Sequence, residues 1–221
     1  MNWNRYIQLQ CERTQPGLFE EPFNTVSGLL FFVAAYVLWN ILKKQTDRPF
    51  SLKFMIVMIA VIGAGSMTYH TVSRMWAAAF ADVLPIAIMA CVLMYVIGKH
   101  ILRLHILGGL VLITLFVIAN VWYKSHYGRG PDGYVSLMPS LLLMFPISIH
   151  MFLTRNPSFI NFSVAAMIAA LAVTFRILDN VGSVCDALPM GTHFLWHSFM
   201  ALFFFIIVRE AIKRHRIYDS I

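Results

Sequence analysis

Charge is the scarcest commodity in this chain. Its 17 basic and 10 acidic residues make up 12% of 221 positions, against about 25% in an ordinary soluble domain. So little charge excludes a solvated surface over most of the molecule. Three cysteines are too few for a disulfide-knit scaffold. No repeat of fixed period and no low-complexity tract is visible, which argues against solenoids and against the internally repeated architecture of many transporters. The basic residues form no clustered face on a soluble element, as nucleic-acid binding would require. Residues 1–10 are polar without an apolar core, so no cleavable signal peptide is expected.

What the chain has instead is hydrophobic length. Apolar residues make up 59% of it, and the mean hydropathy is +0.72. Apolar runs recur at residues 24–42, 54–72, 78–98, 101–123, 134–153, 159–178 and 193–213. Each is long enough to cross a hydrocarbon core about 30 Å thick. The expectation is an all-α membrane protein, a bundle of seven transmembrane helices in one domain over residues 1–221. Residues 1–23 form an N-terminal segment, 24–213 the bundle and 214–221 a tail. Six basic residues (Arg5, Arg13, Arg74, Lys124, Arg129, Arg176) fall on the N-terminal side and the other eleven on the opposite side. The positive-inside rule then puts the C-terminus in the cytoplasm and the N-terminus outside. The net charge of +7 reads as a topology signal, with anionic lipid headgroups as its partner.

Helix breaks agree with these spans. Asp47-Arg48-Pro49 separates the first two, a Gly- and Pro-rich turn at 128–133 the fourth and fifth, and Arg155-Asn156-Pro157-Ser158 follows the fifth. A longer loop, 179–192, precedes the last span. Trp122, Tyr123, Tyr134 and Trp196 fit aromatic belts at the membrane interfaces. Cys91 falls in mid-helix and reads as an inert core thiol. Cys11 and Cys185 share the outer side, where oxidation is allowed, and are either bridged or two separate thiols.

Chemistry concentrates in five polar residues. Ser66 and His70 stand four residues apart near the end of the second span, and so do His193 and His197 at the start of the last. Residues four apart share a helix face. Asp82 lies near the start of the third span. Given alternating directions, all five meet at one membrane depth. Polar groups in lipid are costly and call for a function. Three imidazoles plus an open position is the ligand set of a catalytic zinc. Bound zinc acidifies a water and polarises a carbonyl. Asp82 is typed to move the proton, and Ser66 to hydrogen-bond an oxyanion, worth about 3 kcal/mol. Asp82 or Asp179 could instead hold an imidazole N–H from behind. Each element has an ordinary reading too: Ser66 bonding back to its own helix, Asp82 capping the third helix, and the His pair as structural. His100, His105, His126, His150 and His215 receive no role.

Three segments then resemble the alkaline ceramidases, within a wider group of seven-helix membrane hydrolases that includes the adiponectin-receptor-like proteins. They are Cys11-Glu12 with Glu21-Pro-Phe-Asn24-Thr25-Val26-Ser27; Gly63-Ala-Gly-Ser66-Met-Thr-Tyr-His70-Thr with Asp82-Val-Leu-Pro85; and Asp179-Asn180, Cys185-Asp186 with His193-Phe-Leu-Trp196-His197. The resemblance implies zinc on His70, His193 and His197, with Ser66 and Asp82 assisting hydrolysis of an N-acyl amide such as ceramide to fatty acid and sphingoid base. It also implies a Cys11–Cys185 disulfide and a calcium site using Glu12, Glu21 and Asn24. Leu9 and Thr14 stand where that calcium pattern has Asp and Asn, so fewer oxygen ligands remain and calcium should bind weakly. Glu12, Glu20 and Glu21 otherwise read as a solvated lead-in to the first helix.

The functional expectation is therefore a zinc-dependent lipid amidase in the membrane, its site near the extracytoplasmic leaflet, with membrane lipid as substrate and no obligate protein partner. The rival is a seven-helix receptor or sensor with a structural zinc, disfavoured by small loops and a short tail. Asp82→Asn separates the two, because it should stop an enzyme and leave a structural metal site intact.

Overall fold

The computed structural model describes residues 11–13, 18–71, 76–127 and 138–219. The chain runs through helices α1 (Pro22–Ser27), α2 (Leu29–Leu42), α3 (Phe50–Thr71), α4 (Trp76–Val96), α5 (Ile106–Tyr127), α6 (Met138–Leu153), α7 (Phe159–Leu178), α8 (Gly182–Ala187) and α9 (His193–Asp219). Among the described residues the fold is all-helical. Six stretches are long and apolar enough to cross a membrane: Pro22–Leu42, Phe50–Thr71, Ala79–Ile101, Ile106–Tyr123, Phe159–Leu178 and His193–Arg216. The expected span at 134–153 appears as the shorter α6, 16 residues long. Positions 134–137, the turn at 128–133, Arg5, Arg74, Leu9 and Thr14 lie outside the described residues.

One helix organises the bundle. α9 packs against α7, α2, α1 and α3 and is largely buried, whereas α5 is largely exposed. α5 sits at the rim between α4 and α6, with Leu107, Leu110, Val111, Ile118 and Val121 exposed. In water such a face would be a liability; against lipid tails it loses nothing. The interior is one apolar cluster that includes Leu38, Met55, Ile59, Met89, Met94, Phe162, Ala172, Phe204 and Ile207.

Several boundaries depart from the sequence reading. The first span is two helices that meet at Gly28. α4 runs into a π-helical turn, Ile97–Ile101, closed by Leu102 N–H to the Ile97 carbonyl at 2.8 Å, so the break before α5 falls at 102–105. The last helix continues past 213 to Asp219, because that end is tied down. Glu210 and Arg214 pair one turn apart at 2.6 Å, Ser158 and Asn161 of the neighbouring segment bond Glu210, and His215 reaches Asp47 at 2.8 Å. The loop at 179–192 holds the short helix α8.

One close approach joins α3 to α4. Pro85 lies inside α4 and has no N–H, so the Ala81 carbonyl one turn earlier has no helical donor. A Cβ on Gly65 of α3 would collide with that Ala81 carbonyl. Glycine therefore lets the α3 and α4 backbones touch, and their next residues are Ser66 and Asp82.

Candidate metal centre

His70 ends α3, and His193 and His197 open α9. Their ring centroids are 5.0 Å apart for His70–His193, 5.0 Å for His70–His197 and 4.6 Å for His193–His197. All three are buried, and one ligating atom from each lies within 4.8 Å of the others. Residues separated by more than 120 positions thus converge as the sequence predicted. They could hold a metal ion.

The atoms behind the rings decide which nitrogens are available. Ser27 Oγ donates to the Asn24 carbonyl at 2.9 Å, so its lone pairs face His197 Nδ1 at 2.8 Å. The Asn24 carbonyl also lies 3.1 Å from that nitrogen. Two acceptors at Nδ1 put the proton there and leave Nε2 with its lone pair. Ser66 Oγ is 3.1 Å from Nε2 and lines the same small pocket as Asp82. His70 Nδ1 bonds Glu21, while its Nε2 is sealed from solvent without a protein partner among the described residues. His193 Nδ1 is likewise buried and unsatisfied. Buried polar atoms are normally paired, and unpaired imidazole nitrogens in a convergent triad are what a divalent ion would satisfy. Histidine binds zinc as neutral imidazole through one nitrogen, with the other held by a hydrogen bond.

Glu21 joins the N-terminal segment to the histidines. Its two oxygens engage Arg13, the Asn24 side chain at 2.9 Å and His70. Glu12 accepts the Phe23 and Asn24 backbone N–H groups at 2.8 and 3.1 Å, capping α1. Each of these four carboxylate oxygens accepts at least one protein hydrogen bond, while Asn24 Oδ1, the third expected calcium ligand, is buried without a partner among the described residues. Arg13, buried to 1% exposure, also bonds the Tyr69 hydroxyl at 3.1 Å and stacks 4.7 Å from its ring. Burial works to raise the Glu21 carboxyl, but His70, Arg13 and Asn24 outweigh it and hold the group below its ordinary value.

Asp179 takes a different part from the one considered for it. Its Oδ1 accepts the backbone N–H groups of Thr192 at 2.6 Å and His193 at 3.0 Å, fixing the start of α9 rather than an imidazole. Burial pushes its carboxyl up, against the pull of Thr192, Arg176 and His193. The turn depends on Gly191, whose φ of 65° suits glycine and whose missing Cβ would collide with Asp179 Oδ1. Cys11 and Cys185 are joined as a disulfide, with Cα atoms 4.9 Å apart. Cys11 Sγ lies 3.2 Å from the Asp179 carbonyl, so one cross-link ties the Arg13–Glu21 and Asp179 sides together.

The remaining predicted residues fall around an apolar pocket. Asp82 is half-buried inside α4, six residues past its start, and does not cap it. With Ser66 and His197 it lines a small pocket walled by Phe31, Ile62, Ile86, Trp196, Met200 and Phe204. Trp196, expected in an interfacial belt, is a buried wall instead; Trp122 does lie exposed. Ile86, Met200 and Phe204 also line a second, wholly apolar cleft of about 30 Å³ between α4, α6, α7 and α9. Sequence reasoning missed Ser27, Arg13 and Arg176 as parts of the site. For Arg176 a signal existed, since an arginine inside an apolar span asks for a partner. Neither a protein-family model nor a curated protein matches this chain.

Proposed function

We propose that this protein is a zinc-dependent amidase that hydrolyses N-acyl lipids of the ceramide type within a membrane. The observation that carries the reading is three buried imidazoles converging, two of them with an unpaired nitrogen, beside Ser66 and Asp82 at the mouth of an apolar cleft. In this reading the bundle has seven spans, α6 completing the set, with its N-terminus outside and the site near the extracytoplasmic leaflet. The basic-residue asymmetry supports that orientation.

His70, His193 and His197 would hold the ion. When bound, zinc supplies a Lewis acid for the amide carbonyl and a water acidic enough to attack at neutral pH. The protein's own groups do the rest. An acyl chain would part the apolar side chains between α4, α6, α7 and α9 and bring its amide to the polar end. The Asp82 carboxylate accepts the proton of the attacking water and delivers it to the leaving amine. Ser66 Oγ–H turns to the oxygen that gains charge. Ser27 and the Asn24 carbonyl keep His197 in the tautomer with Nε2 free, and Glu21 does the same for His70.

Purified protein should carry about one zinc, release fatty acid from ceramide as read by mass spectrometry, and lose both properties on His197→Ala. Equal cleavage by metal-free protein would refute the mechanism. A folded Asp82→Asn variant with full zinc and full turnover would refute the role of Asp82.

A further inference from the structure

A roomier space lies outside the metal centre, on the far side of His197. A groove of about 370 Å³ runs along α1, α2 and α9, against about 30 Å³ in the interior cleft and about 10 Å³ beside Ser66. Its size falls in the range of ligand sites, about 300–1,000 Å³. Phe23, Val26, Leu30 and Phe194 wall it, and Ser27 and Ser198 line it too. Ser27 Oγ meets His197 Nδ1, whereas Ser66 Oγ meets Nε2 in the reaction pocket. Phe194 and Ser198 share one face of α9, and Trp196 and Met200 share another. The imidazole of His197 therefore stands between the groove and the pocket where the chemistry is placed.

Three features identify what fills the groove. It begins where two membrane-length stretches begin, Pro22–Leu42 and His193–Arg216. From Pro22 to Leu30 it descends about 12 Å at 1.5 Å per residue, less than half of a hydrocarbon core about 30 Å thick. It thus faces the tails of a single leaflet. Second, its lining offers no free donor and no charge. The Ser27 hydroxyl proton goes to the Asn24 carbonyl, that of Ser198 goes to the Phe194 carbonyl at 2.8 Å, and Pro22 has no N–H. A carbonyl or phosphate oxygen held there would stay unpaired. Third, the rim does not suit a second copy of the chain. Helices in membranes meet through small residues, and here Val26, Leu30, Val33 and Tyr36 are exposed instead. A lipid tail in the groove touches side chains on several sides, where on the outer face of α5 it touches one. Dispersion favours the groove.

We propose that this groove binds one acyl chain of a bilayer phospholipid, held behind His197 and apart from the reacting amide. The proposal goes beyond the amidase reading and does not depend on it.

The test places the full-length protein in phosphatidylcholine nanodiscs doped with a phosphatidylcholine whose tail carries a diazirine. Mass spectrometry maps the photolabel. The α9 peptide bearing Phe194 and Ser198 should be labelled about tenfold more than the α5 peptide bearing the exposed Leu110 and Val111, the preference that about ten added carbon contacts give. Val26→Trp and Leu30→Trp, both at exposed positions, fill the groove and should bring α9 labelling down to the α5 level. Circular dichroism and zinc content check that both variants fold. Phosphatidylglycerol carrying the same diazirine should label the groove equally. Groove labelling no greater than that of α5 in the native protein overturns the proposal, as does unchanged labelling in the folded variants. A preference for the anionic probe also overturns it, because the headgroup would then be what binds. Ceramide turnover should be the same in both variants. Its loss in folded, zinc-loaded protein would put the groove on the substrate path and overturn the separation from the reacting pocket. Native protein that labels the groove yet cleaves no amide would sink the amidase reading and leave this proposal standing.

Discussion

Replacing Glu21 with Gln removes one negative charge while keeping the shape of the side chain. In the native protein that carboxylate faces Arg13 and His70, and both side chains of each pair are essentially sealed from solvent. Two separable losses follow. Stripping Arg13 of this partner in a buried setting costs about 3–5 kcal/mol, the range for breaking a buried pair from one side. Loosening the hydrogen bond behind a metal-binding imidazole costs about 10–100-fold in metal affinity. The folding term is the larger, because 10–100-fold corresponds to only about 1.4–2.8 kcal/mol. Thermal unfolding in detergent reads the first loss and chelator competition for zinc reads the second. The double variant Arg13→Met/Glu21→Gln should recover much of the unfolding temperature, having no buried charge to strand, yet leave zinc weak. The pH dependence has a definite sign. The folded-state carboxyl is held below its ordinary value of 4.5. Its contribution is therefore complete above that pH and is lost as pH falls through the lower folded value. Glu21→Gln should flatten this acid limb. Native stability and native zinc affinity in the single variant would refute the reasoning.

Other perturbations give distinct readouts. Ser66→Ala should lower kcat about 100-fold, the loss of about 3 kcal/mol from one oxyanion donor, with zinc content intact; unchanged kcat would remove Ser66 from the mechanism. Replacing both Cys11 and Cys185 by Ser opens a cross-link between residues 174 apart. The expected cost is about 2–5 kcal/mol, with weaker zinc binding because the Arg13–Glu21 and Asp179 sides are no longer tied; full zinc affinity in the reduced protein would contradict this. Gly65→Ala puts a methyl group into the Ala81 carbonyl, so it should separate Ser66 from Asp82 and depress turnover far more than Gly182→Ala, where a Cβ meets nothing.

The two histidine spacings, the serine and the aspartate were legible because each depends on local periodicity. A four-residue step on a helix puts two side chains on one face wherever that helix goes. Length and apolarity likewise specify membrane-spanning helices, since no other arrangement without closed sheets satisfies the backbone in lipid. The bonds of Glu21 to Arg13 and His70 were not legible in the same way. Nothing local could foretell them, because Arg13 meets Glu21 and Glu21 meets His70 only after the segment folds back over α3.

Sequence alone thus determined the helical class, the membrane-length runs and the identity of the five polar residues at the centre. Tertiary structure decided which faces turn inward, and it did so against a weak pattern. In a membrane helix the lipid side is as apolar as the core side, so hydrophobicity does not mark the buried face. Trp196 inside the pocket, Ser27 behind His197 and the burial of Arg176 are all consequences of how helices dock. That docking is set by contacts as specific as the glycine and freed carbonyl where α3 meets α4, which join residues far apart in the chain.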